Sequence, residues 1–239
     1  MDGPSRGRIT SGIEPNTLLT RTTEFVYRQL ADWREDQERS EGAAEEKLNA
    51  QLCKFLNARS RHLLKMAYFF HEERQTGTRR VDMSALPTEG TIVGSTYFSH
   101  YEPFLVMEGK RLPAPEASRE REYLTGGGVK SGGVQRFRLG LHGAALSRAI
   151  LIGYIQDGQP REWFDRINGW VDDLVAAGEV DGESWTAAER LSAFTEARGK
   201  NVARSASRHP RQGPVVSPLI DLDHFWIRMA RKKVGADRS

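Results

Sequence analysis

The sequence predicts an α/β fold, a central mixed β-sheet flanked by helices. Three observations lead there. Apolar residues recur at helical spacing up to about position 59, and the period then shortens to that of strands. Ala149-Ile150-Leu151-Ile152-Gly153-Tyr154-Ile155 is the most apolar run of the chain and reads as a fully buried strand. A helical pattern follows it, so helices and strands alternate as an α/β domain requires.

Taken in order, residues 1–20 read as irregular, because Pro4, Gly7, Gly12 and Pro15 break any pattern. A helix is expected over 22–39, anchored by Phe25, Leu30 and Trp33, with Ser40-Glu41-Gly42 interrupting it. A second helix over 43–59 repeats Leu48, Leu52, Phe55 and Leu56 at helical spacing, and Glu45 shares their face. The apolar stretch 63–70 is expected to end as a strand. Residues 79–86 alternate as a strand that Pro87 and Gly90 close. Phe104 to Met107 leads into Glu108-Gly109-Lys110-Arg111-Leu112, and Pro113 and Pro115 end that strand.

The glycines at 126–128 and 132–133 open a helix expected over 134–141, which Gly143 stops. Val134, Phe137 and Leu141 face inward there, leaving Gln135, Arg136 and Arg138 more exposed. A helix over 160–177 puts Trp163, Ile167, Trp170, Val171 and Leu174 on its inner side, in core or dimer packing. Residues 197–217 are polar, basic and proline-dotted, hence loop, and 219–229 read as a last strand. The domain reading is residues 1–42 as an irregular segment and helix, 43–230 as one domain, and 231–239 as a basic tail.

Composition narrows the function classes. Cys53 is the sole cysteine, which excludes a disulfide framework and a cysteine-based zinc cluster and suits a reducing cytoplasm. No apolar run reaches the roughly 20 residues a membrane helix needs, so the expectation is a cytoplasmic protein. Lysine and arginine exceed Asp and Glu by only 35 to 32, so total charge says little about a polyanion partner. The last third is locally basic, with Arg204, Arg208, Arg211, Arg228, Arg231, Lys232, Lys233 and Arg238. That surface is either solvated or in contact with phosphate.

The informative constellation is an acid in one strand followed by acid-x-lysine in the next. Side chains alternate along a strand, so Glu108 and Lys110 leave the same face with Cα atoms about 6.6 Å apart. Asp82 on a neighbouring strand brings a second carboxylate. Two carboxylates with water and phosphate oxygens suit Mg²⁺, which prefers hard oxygen ligands. Lys110 can then orient or help deprotonate an attacking water, or offset charge on a phosphate. The apolar run before Glu108 places this charged cluster near a core, where charges are costly unless paired or used. The bland alternative is an ion pair at a strand end with Asp82 as a turn acid.

This order of residues resembles the PD-(D/E)xK nuclease superfamily, which includes restriction endonucleases and many phage-defence nucleases. Asp82 in Arg79-Arg80-Val81-Asp82-Met83 matches its metal-binding Asp, and Glu108-Gly109-Lys110 matches its (D/E)xK. The likeness covers residues 43–156. It departs in lacking a proline before Asp82 and in the 26 positions from Asp82 to Glu108. It implies a restriction-endonuclease-like core, and Mg²⁺ or Mn²⁺ held by Asp82, Glu108 and an acid of the preceding helix. Glu45 or Glu46 fills that last place, Glu45 being favoured by its position relative to Leu48. It further implies an endonuclease acting on DNA, with Gln135, Arg136 and Arg138 on the phosphates. A homodimer, a partner protein that targets or activates it, and an antiviral role belong to the same expectation. The alternatives are RNA as substrate, or a subunit of the same fold without turnover.

Other signals carry less. The glycines at 126–133 match no Walker A pattern, and read as a loop rather than a phosphate cradle. The six histidines show no metal-ligand spacing, although His142, after the Arg-bearing helix, stands out. Glu72 and Glu73 read as turn acids, and Arg79 and Arg80 as contacts to phosphate or counterweights to the acidic site.

Overall fold

Arg148–Ile155 forms the middle strand of the molecule, and its position follows from its composition. Ala149, Ile150, Leu151, Ile152, Tyr154 and Ile155 are wholly inaccessible to solvent, as only a strand covered on both faces can be. The structure, a computed structural model, describes residues 18–40, 44–75, 79–93, 95–126, 129–179 and 182–230. Expectations for residues 1–17, 41–43 and 231–239 and for Gly127 and Gly128 lie outside the described residues.

In chain order the elements are α1 (Leu18–Glu35), α2 (Glu45–Leu63), β1 (Ala67–Arg74), β2 (Arg80–Pro87), β3 (Thr91–Val93), β4 (Thr96–Phe98) and β5 (Leu105–Leu112). A 3₁₀ segment, Ala117–Tyr123, precedes α3 (Gly133–Arg138), β6 (Arg148–Ile155) and α4 (Pro160–Ala177). A short 3₁₀ turn, Ala187–Glu189, leads into β7 (Ser192–Ala197), β8 (Val202–Pro210) and β9 (Leu219–Arg228). Seven strands make one mixed sheet in the order β1-β2-β5-β6-β9-β8-β7, and β3 and β4 pair apart from it. β6 runs parallel to both β5 and β9; the other neighbours are antiparallel. Parallel neighbours need crossovers, and α3 and α4 lie in those two connections.

Adjacent residues of β9 show which helix covers which face. Phe225 meets Tyr27 of α1 at 5.2 Å between rings, whereas Trp226 meets Phe164 of α4 at 6.2 Å. Successive side chains point to opposite faces, so α1 and α4 lie on opposite sides of the sheet. Val26, Leu30 and Trp33 bury completely in the core, so α1 packs with the domain although the expected boundary fell at 43. Burial of a side chain such as Leu30 contributes roughly 1.5–3 kcal/mol.

The α/β class and mixed sheet stand as expected. Several bounds and one assignment differ from expectation. α1 starts and ends about a turn earlier than 22–39, and α2 runs on to Leu63. α3 ends at Arg138 rather than 141. The long Asp82–Glu108 connection holds the β3–β4 hairpin. Residues 197–217 are not all loop: 198–201 and 211–217 connect the strands, but Val202–Pro210 forms β8, paired with β9 along its whole length. Its inward positions include Ser205, Ser207 and His209, so the alternation carries little hydrophobic signal.

Candidate functional site

The β2–β5 ladder pairs Ala85 with Leu105, Ser84 with Val106 and Met83 with Met107, and stops there. The next residue on each strand is Asp82 and Glu108. In place of a further backbone bond, the Gly109 N–H donates to Asp82 Oδ2 at 2.8 Å. On its other side β5 continues beside β6, with Glu108 opposite Leu151 and Lys110 opposite Gly153. The polar residues thus emerge where one ladder ends and the other persists.

The N-terminus of α2 closes on this point. Glu45 accepts from Lys110 Nζ at 2.9 Å and from the Arg111 N–H at 2.9 Å. Gly109 lets the helix come so near. A Cβ there would lie 2.0 Å from Asn49 Oδ1 and 2.8 Å from Tyr154, whose hydroxyl donates to the same Asn49 oxygen at 2.7 Å. Glu46, the other choice for the helix acid, is exposed, so Glu45 is the acid brought to the site.

Glu108 is fully buried among cations. Its Oε1 takes Arg136 Nη1 at 2.6 Å, with Lys110 Nζ at 3.5 Å. Its Oε2 pairs with His142 Nδ1 at 3.2 Å. Arg211, buried in the connection between β8 and β9, fixes the turn that carries His142. It donates to the carbonyls of Phe137, His142, Gly143 and Leu146, and Gly143 itself has a left-handed φ of 59°.

Charge is unevenly shared. Burial, then the neighbouring Glu108 carboxylate, pushes the Asp82 carboxyl up to about 8. Burial also works against an ionised Glu108, but Lys110, His142 and Arg136 outweigh it and hold this carboxyl below its ordinary value. Burial likewise opposes the Lys110 charge, and Glu108, Glu45 and Asp82 overcome it, so the ammonium holds its proton more tightly than a free lysine.

The structure therefore brings together Asp82, Glu108, Lys110, Glu45 and Arg136. It does not place Gln135 and Arg138 as expected. Both are buried, and both bind Glu183, Gln135 at 2.6 Å and Arg138 at 2.9 Å. Arg138 also pairs with Glu189 at 2.8 Å and stacks on Trp185 at 4.0 Å. The reason is that α3 is held from both sides, so only Arg136 turns toward Glu108. Gln135 Oε1 also takes the N–H groups of Gly126 and Gly132, which spends the donors a phosphate cradle would need.

Other basic residues lie at the surface in ion pairs: Arg80 with Glu72, Arg204 with Glu24 and Arg208 with Asp221. Trp163 and Trp170 are core, ring to ring at 6.2 Å, and Cys53 is buried in α2. Sequence reasoning missed Asn49, Glu183, Glu189 and Arg211. Their contacts join residues 20 or more positions apart, most of them 45 or more, and no local pattern announces those.

Whether these residues suit a divalent ion turns on the donors. Asp82 and Glu108 offer hard carboxylate oxygens, those of Glu108 already shared with Arg136 and His142. Burial first and the Glu108 carboxylate second raise the Asp82 carboxyl, so a cation placed between the two would favour its ionised form. The pair fits a cation. Glu45 spends both oxygens on Lys110 and Arg111, so it serves as the partner of Lys110 in this arrangement. Among the described residues no three His, Cys, Asp or Glu side chains are grouped closely enough to hold an ion, so water or substrate oxygens would complete the shell.

Compared with protein-family models, curated proteins and solved structures, the chain matches none. Among the described residues no helix is long and apolar enough to cross a membrane.

Proposed function

We propose that the chain is a metal-dependent nuclease of the PD-(D/E)xK kind, an endonuclease hydrolysing phosphodiester bonds in DNA. One observation carries the reading. Asp82 and Glu108 meet where the β2–β5 ladder ends, and Lys110 is held at the same point by Glu45. Asp82 and Glu108 would hold Mg²⁺ or Mn²⁺. Such an ion supplies a Lewis acid for the phosphate and a more acidic bound water.

The chain's own residues do the rest. Lys110 stays charged, so it donates to an attacking water or to a phosphate oxygen rather than accepting a proton. Glu45 orients it. Arg136, whose side chain is about a quarter exposed at 27%, is the cation at the mouth of the site and can meet a phosphate. Homodimerisation, a targeting or activating partner, and a cytoplasmic antiviral role form part of the proposal.

A second reading, the same fold without turnover, has one observation in its favour: Glu108 is wholly enclosed by Arg136, Lys110 and His142. Incubation of the purified chain with plasmid DNA, single-stranded DNA and RNA, in Mg²⁺, Mn²⁺ or EDTA, separates the two. The expected result is metal-dependent cleavage that Lys110→Ala abolishes. RNA cleavage alone would move the substrate to RNA. Folded wild-type protein that leaves all three intact would establish the second reading.

A further inference from the structure

Strand β2 puts Leu86, Ser84, Asp82 and Arg80 on one face of the sheet, and their direct partners on the edge strand β1 share that face. Those partners are Tyr68 opposite Leu86, Phe70 opposite Ser84 and Arg74 opposite Arg80. His71 and Glu73 pair with Met83 and Val81, so Glu72 stands between them beside Asp82. One end of this strip is aromatic. Phe70 is 52% exposed, and the Tyr68 hydroxyl donates to the His100 carbonyl at 2.8 Å. That bond holds the turn on which the His100 ring meets Tyr101, itself 78% exposed, at 3.8 Å between centroids. The other end is cationic. Arg74 and Arg80 are directly opposed and both exposed, an arrangement that destabilises a sheet unless an anion meets it. Glu72 pairs with Arg80, whereas Arg74 has no ion pair among the described residues.

Four positions of strand, about 13 Å, separate Phe70 from Arg74, and Asp82 lies beside the midpoint. Exposed aromatic rings offer π-faces to bases, and guanidinium groups bond phosphate oxygens. We infer that this strip is a track for a single strand of nucleic acid, whose bases stack on Phe70 and Tyr101 and whose phosphates meet Arg74 and Arg80. Bases inside a duplex are stacked on one another and reach such a surface only when unpaired. A second copy of the chain is a poorer occupant, because Glu72, with a left-handed φ of 58°, interrupts the regular edge that a further strand would need. The inference deepens the nuclease reading by making its substrate an unpaired stretch, and takes from that reading only that the chain acts on nucleic acid.

The test reads binding without cleavage, in EDTA. Fluorescence anisotropy follows the full chain added to labelled oligo-dT, oligo-U and a DNA duplex. A single strand is expected to bind about tenfold or more tighter than the duplex, and the tighter of oligo-dT and oligo-U names the sugar. Phe70→Ala and Tyr101→Ala should each weaken single-strand binding by about five- to a hundredfold and leave duplex binding unmoved. Arg74→Ala should lower the log–log salt slope of single-strand binding by about 0.7. All three side chains are exposed, so these variants are expected to fold. A duplex bound as tightly as both single strands overturns the inference. So does a single-strand affinity that Phe70→Ala and Tyr101→Ala leave unchanged. Phe70→Ala that alters sedimentation but not oligonucleotide affinity would assign the strip to a second copy instead. Single strands bound on Phe70 and Tyr101 but never cut in Mg²⁺ or Mn²⁺ would sink the nuclease reading and keep the track; duplex cleavage with no preference for single strands would do the reverse.

Discussion

Two polar clusters are buried on one face of the same sheet, and they are built on opposite principles. Glu108 and His224 lie in one row, each paired in register with Leu151 between them, about 9.6 Å apart. Around His224 every ring nitrogen has a partner. Trp226 Nε1 donates to the Tyr123 hydroxyl at 3.0 Å, and that hydroxyl meets His224 Nδ1 at 2.8 Å. Ser207 Oγ bridges His224 Nε2 and His209 Nε2, both at 2.7 Å, and His209 Nδ1 reaches Glu189 at 2.9 Å. One proton arrangement satisfies the whole chain. Donation runs from Trp226 through Tyr123, His224, Ser207 and His209 to an ionised Glu189, with both imidazoles neutral.

Around Glu108 the charges are less evenly met: Oε2 pairs with His142 Nδ1 at 3.2 Å, and the neighbouring Asp82 carboxyl is pushed up to about 8 by burial and by Glu108. A satisfied buried network makes a fold specific; an unsatisfied one is where chemistry is found. Ser207, His209 and Glu189 even have the composition of a nucleophilic triad. Buried at 5%, 0% and 1% exposure, with each donor already committed, they are structural.

The strongest way to break this contrast is to remove one carboxylate from each cluster. Glu189→Ala leaves Arg138 and His209 short of a partner in the core, and should cost about 3–5 kcal/mol in urea denaturation. Asp82→Asn should abolish cleavage and leave stability at pH 8 equal or higher, because a neutral amide replaces a carboxylate that burial disfavours. If Asp82→Asn destabilises as much as Glu189→Ala, the Asp82 cluster is structural too.

A second substitution tests how the open cluster is framed. Gly109→Ala places a methyl 2.0 Å from Asn49 Oδ1, so either the Asn49 side chain swings off the Tyr154 hydroxyl or α2 shifts and carries Glu45 away from Lys110. The expected cost is about 1–3 kcal/mol, together with slower cleavage. Asn49→Ala alone should also destabilise, by stripping the Tyr154 hydroxyl of its acceptor. The two changes made together should cost less than their sum, as neighbours in contact do. Strict additivity in the double-mutant cycle would show that Gly109 is not what seats the helix.

The two clusters also differ in how far the sequence revealed them. Asp82, Glu108 and Lys110 were legible because they interrupt strands whose apolar pattern is strong, and Glu45 because its helix repeats Leu48 and Leu52. The β6 run and α4 were legible for the same reason. The His224 cluster was not, since its members come from β8, β9 and two 3₁₀ segments, and β8 turns Ser and His inward where a pattern reader expects Val or Ile. Gln135 and Arg138 misled because a helical period says which residues share a face. It does not say that Glu183, 45 or more positions away, waits on the far side.

The finest test is the sign of the pH dependence, which the clusters set in opposite directions. Asp82 ionises near 3.8 when unfolded and near 8 when folded, so between those values the folded state keeps a proton the unfolded state has lost. Stability then falls as pH rises, by at most about 1.4 kcal/mol per unit. Burial holds His209 below its ordinary value and His224 down to about 3. Below pH 6.5 the unfolded state therefore takes up protons that the folded state refuses. Stability falls there as pH drops, by about 1.4 kcal/mol per unit for each histidine. Without divalent ions the histidines thus pull stability down toward acid pH and Asp82 pulls it down toward alkaline pH. In denaturation series across pH, Asp82→Asn should remove the alkaline fall and steepen the acid one. His224→Gln should soften the acid fall alone. An alkaline fall that survives Asp82→Asn would mean that the strain at the end of the β2–β5 ladder lies elsewhere.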